Sequence, residues 1–389
     1  LKTFSEIFVQ DNCMSSTLFS PTMVGTIELP NRIAVSPMCQ YSANDGCASD
    51  WHLMHLMQLG ISGAGLVMLE STAIERQGRI THGCLGLYSD ANEAALGQVM
   101  ASARRVSPSE TRWGIQINHA GRKASAQRPW EGRGALASSE NPWPTEGPSA
   151  LAAGEGWHTP TEMTLPAMAR VREGFVAAAR RAARIGFDVV EFHTTHGYLM
   201  HQFLSPVANR REDDYGGSLE NRMRFPLEVA KAVREALPAS ISLGARITGS
   251  DWLPEGINIA EAVVFATALK ALGADYVCVS SGGIANVQIP AGPGYQVPFA
   301  AEVRARTGIH TRAVGMIVEP EQAESIVSEG KADTVALARA LLDNPRWVWH
   351  AAERLGAEGS ITHPPQYERS KRALWPGAVL ARPEATPGA

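Results

Sequence analysis

Short apolar runs rich in Val, Ile and Leu alternate with helical patterns along almost the whole chain, and this alternation restricts the fold more than any other feature. The runs lie at 33–36, 65–70, 112–118, 187–192, 241–247, 275–280, 310–314 and 333–337. Helix-like spacing of apolar positions occupies 50–62, 90–106, 168–185, 220–236, 258–272, 298–307, 319–329 and 344–354. Nearly continuous apolar strands interleaved with helices make a parallel sheet covered on both faces. Eight such units predict an α/β fold closed into a single (β/α)8 TIM barrel rather than an open doubly wound sheet. The 389 residues fit one barrel. Asn258, with Glu261 three residues on, predicts a capped helix beginning near Ile259.

One stretch breaks the rhythm. Residues 119–166 are rich in Gly, Pro, Ser and Trp and show no period. An irregular segment of that length is expected to be functional. It follows the third strand, so it is expected to cap the C-terminal mouth of the barrel, with a small hairpin in it. Residues 1–13 read as an extension preceding a native start at Met14, residues 14–370 as the barrel, and residues 371–389 as a tail that frays at its tip.

Charge and cysteine content exclude several function classes. Lys plus Arg number 35 and Asp plus Glu 39, for a formal net charge of −4. No basic excess exists to neutralise nucleic-acid phosphates. No run approaches the length of a membrane span, and the first residues hold no secretory signal pattern. The five cysteines, at 13, 39, 47, 84 and 278, form no CxxC pair. They read as reduced thiols of a cytoplasmic protein rather than ligands of zinc or an iron–sulfur cluster.

In such barrels the chemistry sits at the C-terminal strand ends. Those positions carry Pro37-Met38-Cys39-Gln40-Tyr41, Ala73, Gln116, His119-Ala120-Gly121-Arg122-Lys123, His193-Thr194-Thr195-His196-Gly197-Tyr198, Arg246, Gly315 and Ala338-Arg339. The seventh and eighth ends are the usual phosphate position. Gly315 permits close backbone approach, the N–H groups of Ala338 and Arg339 open a helix, and Arg339 adds a fork of donors. Arg246, on a strand among apolar residues, requires an anionic partner. Read alone, His193, His196 and His201 also allow a zinc set, or packed core histidines.

The segments SPMCQYSANDG, IQINHAGRKASAQRPWEG, EFHTTHGYLMHQFLSP, NRREDDYGGSLENRMRFPLEV and QYER resemble the Old Yellow Enzyme family, and most of all its branch of xenobiotic reductases and bacterial ene-reductases with an active-site Cys. The resemblance runs from about Leu18 to Arg369. It implies bound FMN, NADPH (or NADH) as hydride donor, and ping-pong reduction of activated alkenes: α,β-unsaturated ketones, aldehydes, maleimides or nitroalkenes. It further implies that Pro37, Met38, Cys39, Ala73, Gln116, Arg246, Gly315, Ala338 and Arg339 bind FMN. His193 and His196 would clamp a substrate carbonyl, Tyr198 would donate the proton, Cys39 would tune the flavin, and Tyr41 would line the substrate side. By the same resemblance, Gln366-Tyr367-Glu368-Arg369 reaches a neighbouring subunit's site, with Arg369 touching substrate, in a homodimer or homotetramer.

Two positions depart from the family pattern. Ala338 stands where a glycine is usual before the phosphate-binding Arg. Ala291 stands where relatives often carry a large aromatic, which predicts a wider substrate pocket. The competing class is a barrel hydrolase or lyase, working through a metal or a Schiff-base lysine. Lys123 is its nearest lysine candidate.

Overall fold

The computed structural model describes residues 16–381. Residues 1–13 and Met14, and the tail tip beyond 381, lie outside the described residues.

All eight apolar runs are strands of one closed, wholly parallel barrel in sequence order: β1 (Ile33–Val35), β2 (Leu66–Ala73), β3 (Arg112–Asn118), β4 (Val189–Thr194), β5 (Ser242–Thr248), β6 (Tyr276–Ser280), β7 (His310–Ala313) and β8 (Thr334–Leu337). Each is followed by its helix: α1 (Asp50–Gly60), α2 (Asp90–Val106), α3 (Leu165–Ile185), α4 (Leu219–Ala236), α5 (Ile259–Ala271), α6 (Val297–Thr307), α7 (Pro320–Ser328) and α8 (Trp347–Arg354). Helix α3 shows why the pattern was readable. Met168, Val171, Phe175, Ala178, Ala179 and Ala182 are buried and recur at helical spacing, so one stripe packs on the barrel while charged residues face outward. Asn258 caps α5, accepting from the N–H groups of Ala260 and Glu261. Glu261 itself does not close a capping box: its carboxylate takes Arg222 Nη2 at 2.7 Å.

The floor of the barrel is closed by a hairpin that the apolar runs did not announce. Strands Thr22–Val24 and Ile27–Leu29 pair antiparallel. Val24, Ile27 and Leu29 join a buried cluster with Ala34, Leu66, Met68, Val189 and Tyr276. The preceding segment is locked as well. The N–H groups of Thr17 and Leu18 donate to the Glu324 carboxylate on α7, both at 2.9 Å.

The cap follows β3 as expected and holds a small antiparallel pairing, in which Ala126 bridges Ala135 and the N–H groups of Gln127 and Leu136 donate to Gly134 O and Ser125 O. A second pairing in it is not a hairpin. The two-residue strands Glu146–Gly147 and Thr161–Glu162 run parallel. The chain leaves one, loops out through residues 148–160 and returns in the same direction, which no tight antiparallel turn permits. Arg170 on α3 fastens this segment, pairing with Glu146 and, at 3.2 Å, with Glu75. In the tail, residues 378–381 form a short helix, with Ala378 fully buried.

Candidate functional site

A cavity of about 680 Å³ opens at the C-terminal ends of the strands. Every strand contributes to its wall: Ser36 just after β1, Ser71 on β2, Gln116 on β3, His193 on β4, Arg246 on β5, Ser280 on β6, Gly315 after β7, and Ala336, Ala338 and Arg339 at the end of β8. Among the predicted residues, Pro37, Cys39, Gln116, His193, His196, Tyr198, Arg246, Gly315, Ala338 and Arg339 line this one space.

Other predicted residues lie elsewhere. Met38 packs against the main core. Ala73 is buried, its N–H donating to Leu85 O and its carbonyl accepting from Leu87 N–H. Tyr41, with a φ of 50°, turns the chain two residues after Cys39. Its ring meets Trp130 edge-on, and it packs with Cys39, Tyr198, Trp143 and Trp157 around the buried cluster of Ile80, Cys84, Ala120, Ala124 and Ala126. The cap therefore covers the Cys39–Tyr198 side. Ala291 is exposed, and Ile289 of the same loop forms the wall instead. Arg369 is exposed in a 3-10 turn, Pro365–Ser370, and is not among the residues that line the cavity.

His193 is the penultimate residue of β4, and His196 follows in a turn with φ 61°. Their rings stand 5.2 Å apart. Burial, and after it the charge of Arg246, pushes both imidazoles well below the usual histidine range, so both are neutral at pH 7. His193 Nδ1 is buried without a hydrogen-bond partner. His196 Nε2 lies 2.8 Å from Ser280 Oγ, whose own proton goes to Gln296 Oε1. That leaves Ser280 as acceptor and places the His196 proton on Nε2. Tyr198 sits 5.2 Å from the His193 ring, and burial raises its phenol well above the ordinary tyrosine value. It therefore keeps its proton.

His201 belongs to a different environment. Its Nδ1 accepts from Gly197 N–H at 2.8 Å, and its Nε2 faces Asp251 Oδ1 at 2.8 Å with both side chains fully buried. Both nitrogens are engaged, so His201 fixes the turn between the cavity residues rather than joining a ligand set. No three His, Cys, Asp or Glu side chains among the described residues converge to hold a metal ion.

Lys123 has a role the sequence did not disclose. Its Nζ donates to His196 O at 2.8 Å and Gly283 O at 3.1 Å, and lies over the Tyr198 ring at 5.2 Å. Burial, with Arg122 beside it, lowers this amine to about 8. It ties the histidine turn to the loop after β6. Gln296, buried at the start of α6, was also missed, because an isolated Gln in a loop carries no pattern. It organises the wall by accepting from both Ser280 and Ser281.

The remaining wall is built for an anion. Arg246 donates Nη1 to Ser36 Oγ at 3.3 Å, its Nε is buried and unpartnered, and among the described residues it has no carboxylate partner. A buried guanidinium so placed needs negative charge from a ligand. Gly315 has φ 118°, and a Cβ there would meet Gln296 Nε2 at 2.7 Å. Backbone can thus approach a ligand where no side chain fits. Beside it, exposed Arg339 opens the short helix Arg339–Asp343. A cationic group deep in the cavity and a second at its rim, beside bare backbone, suit a long ligand with an anionic ring and a phosphate.

Comparison with known proteins gives the family. Residues 17–358 match the model of the NADH:flavin oxidoreductase / NADH oxidase family. An NADPH dehydrogenase of Geobacillus sp. (strain WCH70) is 41% identical over 361 residues, covering 92% of this chain and 100% of the relative. One of Listeria monocytogenes serovar 1/2a is 41% identical over 357 residues, covering 91% and 99%. Among solved structures, morphinone reductase in complex with tetrahydroNAD superposes with a TM-score of 0.70 at 27% identity, covering 90% of this chain and 93% of that one. A 2-naphthoyl-CoA reductase shares the fold, with a TM-score of 0.78 at 22% identity; this chain spans 54% of its length. The chain belongs to the NADH:flavin oxidoreductase / NADH oxidase family, the Old Yellow Enzyme family of the sequence motifs, and is an oxidoreductase that uses FMN and NAD(P)H.

Proposed function

We propose that this protein is an ene-reductase that takes NADPH and an activated alkene in turn at one site. The observation that carries the reading is the pair of neutral histidines beside Tyr198, in the same cavity as Arg246. Bound FMN supplies the two-electron store that receives hydride from NADPH and passes it to the alkene.

The protein residues handle charge and protons. Arg246 and Gln116 hold the flavin ring, and Gly315, Ala338 and Arg339 hold its phosphate. His193 and His196 direct N–H groups at the substrate carbonyl. Ser280 occupies the His196 proton until a carbonyl replaces it. Two such donors stabilise the enolate-like charge that grows as hydride adds to the β-carbon. Tyr198, which stays protonated, delivers its proton to the α-carbon. Cys39 borders the ring, and the cap with Tyr41 excludes water from the substrate side. The substrates this favours are enones, enals, maleimides and nitroalkenes. Arg369 is exposed and does not line its own cavity, which fits a homo-oligomer in which it serves a neighbour's.

The test separates the two half-reactions by stopped flow without oxygen. Tyr198→Phe should slow re-oxidation by cyclohexenone by about 10²-fold or more and leave reduction by NADPH within about twofold. Unchanged alkene turnover in this variant would remove Tyr198 as the proton donor. Failure of every alkene in the panel to re-oxidise the wild type would remove the ene-reductase reading.

A further inference from the structure

Below the cavity floor lies a set of buried polar side chains that the reaction does not touch. Gln116 and Glu191 are paired across β3 and β4, and Gln116 Nε2 donates to Glu191 Oε1 at 2.7 Å. The other carboxylate oxygen, Oε2, accepts from Tyr276 Oη at 2.8 Å and faces Arg312 Nη1 at 3.4 Å. Arg312 also stacks over the Tyr276 ring, 4.2 Å from its centroid. Glu191 and Tyr276 are fully inaccessible and Arg312 is 1% exposed. Space for the tyrosine ring comes from Gly244, where a Cβ would stand 2.0 Å from it.

An isolated buried carboxylate would be costly, so this one is retained with three partners. Of these three groups only Gln116 reaches the cavity wall. We infer that Glu191, held by Tyr276 and Arg312, is a positioning residue that sets which way the Gln116 amide faces. A carboxylate accepts only, so the amide must turn an N–H toward it. The carbonyl oxygen of Gln116, with its second N–H, is then left to the cavity. That acceptor–donor pair matches one N–H and one adjacent carbonyl of the imide edge of a flavin. The opposite flip would set two oxygens against each other. This inference rests on the reading of Gln116 as a flavin contact.

The test measures FMN binding to apoprotein by quenching of flavin fluorescence, together with the unfolding midpoint. Gln116→Ala should weaken FMN about 30-fold and Glu191→Gln about 10-fold. If Glu191 acts through Gln116, Glu191→Gln added to Gln116→Ala should cost less than about twofold more in affinity, although it still lowers the unfolding midpoint. Tyr276→Phe keeps the charge balance and should weaken FMN about threefold in the Gln116 background only. Additive losses in either double variant would overturn the positioning role and leave the set purely structural. Unchanged FMN binding in Gln116→Ala would instead overturn the contact itself, and the inference with it. Should Glu191→Gln fail to fold, the Tyr276→Phe pair decides alone.

Discussion

Around the barrel mouth, the ends of β3 and β4 differ from the ends of β7 and β8 in how their polar groups are held. On the first side His193, His196, Tyr198 and Lys123 lie under a long cap, and burial shifts every one of them. On the second, short loops present backbone and one exposed cation, Arg339, with Met316 and Val318 exposed at the rim. The first side is a place where proton affinity is set by exclusion of water. The second is a place where shape and an accessible charge suffice. Apart from Gln116, which sits on β3 and is assigned to the flavin, reduction and anchoring can thus be altered separately, and the predictions probe that separation.

The largest effect is expected at the covered side. His193→Ala should slow the alkene half-reaction by about 10²- to 10³-fold, the usual loss for one oxyanion donor. FMN retention should barely change; if the variant instead loses FMN affinity while the flavin that stays bound is re-oxidised by the alkene at the wild-type rate, the division between the sides is wrong. Next, Gly315→Val should weaken FMN about 100-fold in a fluorescence titration, since it combines a strained φ with a clash against Gln296. Arg339→Gln should weaken FMN about 10-fold at low salt and less at high salt, because an exposed charge is screened. A salt-independent loss would mean that Arg339 is not acting as an accessible charge.

The smallest effect concerns Lys123. Its folded value of about 8 lies below the ordinary lysine value of 10.5. The folded protein loses this charge as pH rises through 8, while the unfolded chain keeps it to about 10.5. The cost of burying the charge is therefore present below pH 8, and stability from this group rises between pH 8 and 10.5. The alkene half-reaction should show an inflection near pH 8 of about threefold, absent in Lys123→Met. An inflection that survives the substitution belongs to another group.

The barrel was legible because its strands are buried on both faces and so are written as unbroken apolar runs. The floor hairpin was not, because Thr22–Val24 and Ile27–Leu29 are each too short to show a period. In the cap, Gly and Pro spacing located a loop and its antiparallel bridge at Ala126 and Ala135 was expected only as a small hairpin; the parallel return of Thr161–Glu162 onto Glu146–Gly147 left no period to read. Strand-end reasoning gathered most of the cavity wall, since position along a barrel strand fixes height in the barrel. It had nothing to say of the loop after β6, where Ala291 is exposed and Ile289 forms the wall, because an irregular loop has no alternation to read. Lys123 was visible only as a basic residue in a loop. Its contacts are to backbone carbonyls 73 and 160 residues away, which no local pattern encodes.

The locked N-terminal segment also bears on how the molecule assembles. Thr17 and Leu18 are bound by Glu324, about 307 residues further along. During synthesis this segment waits until α7 has been made before it can dock. Closing the floor is thus a late step with a long loop to bring together. In pulsed hydrogen exchange, the Leu18 amide should gain protection in the slowest folding phase, after the amides of β3 and β4.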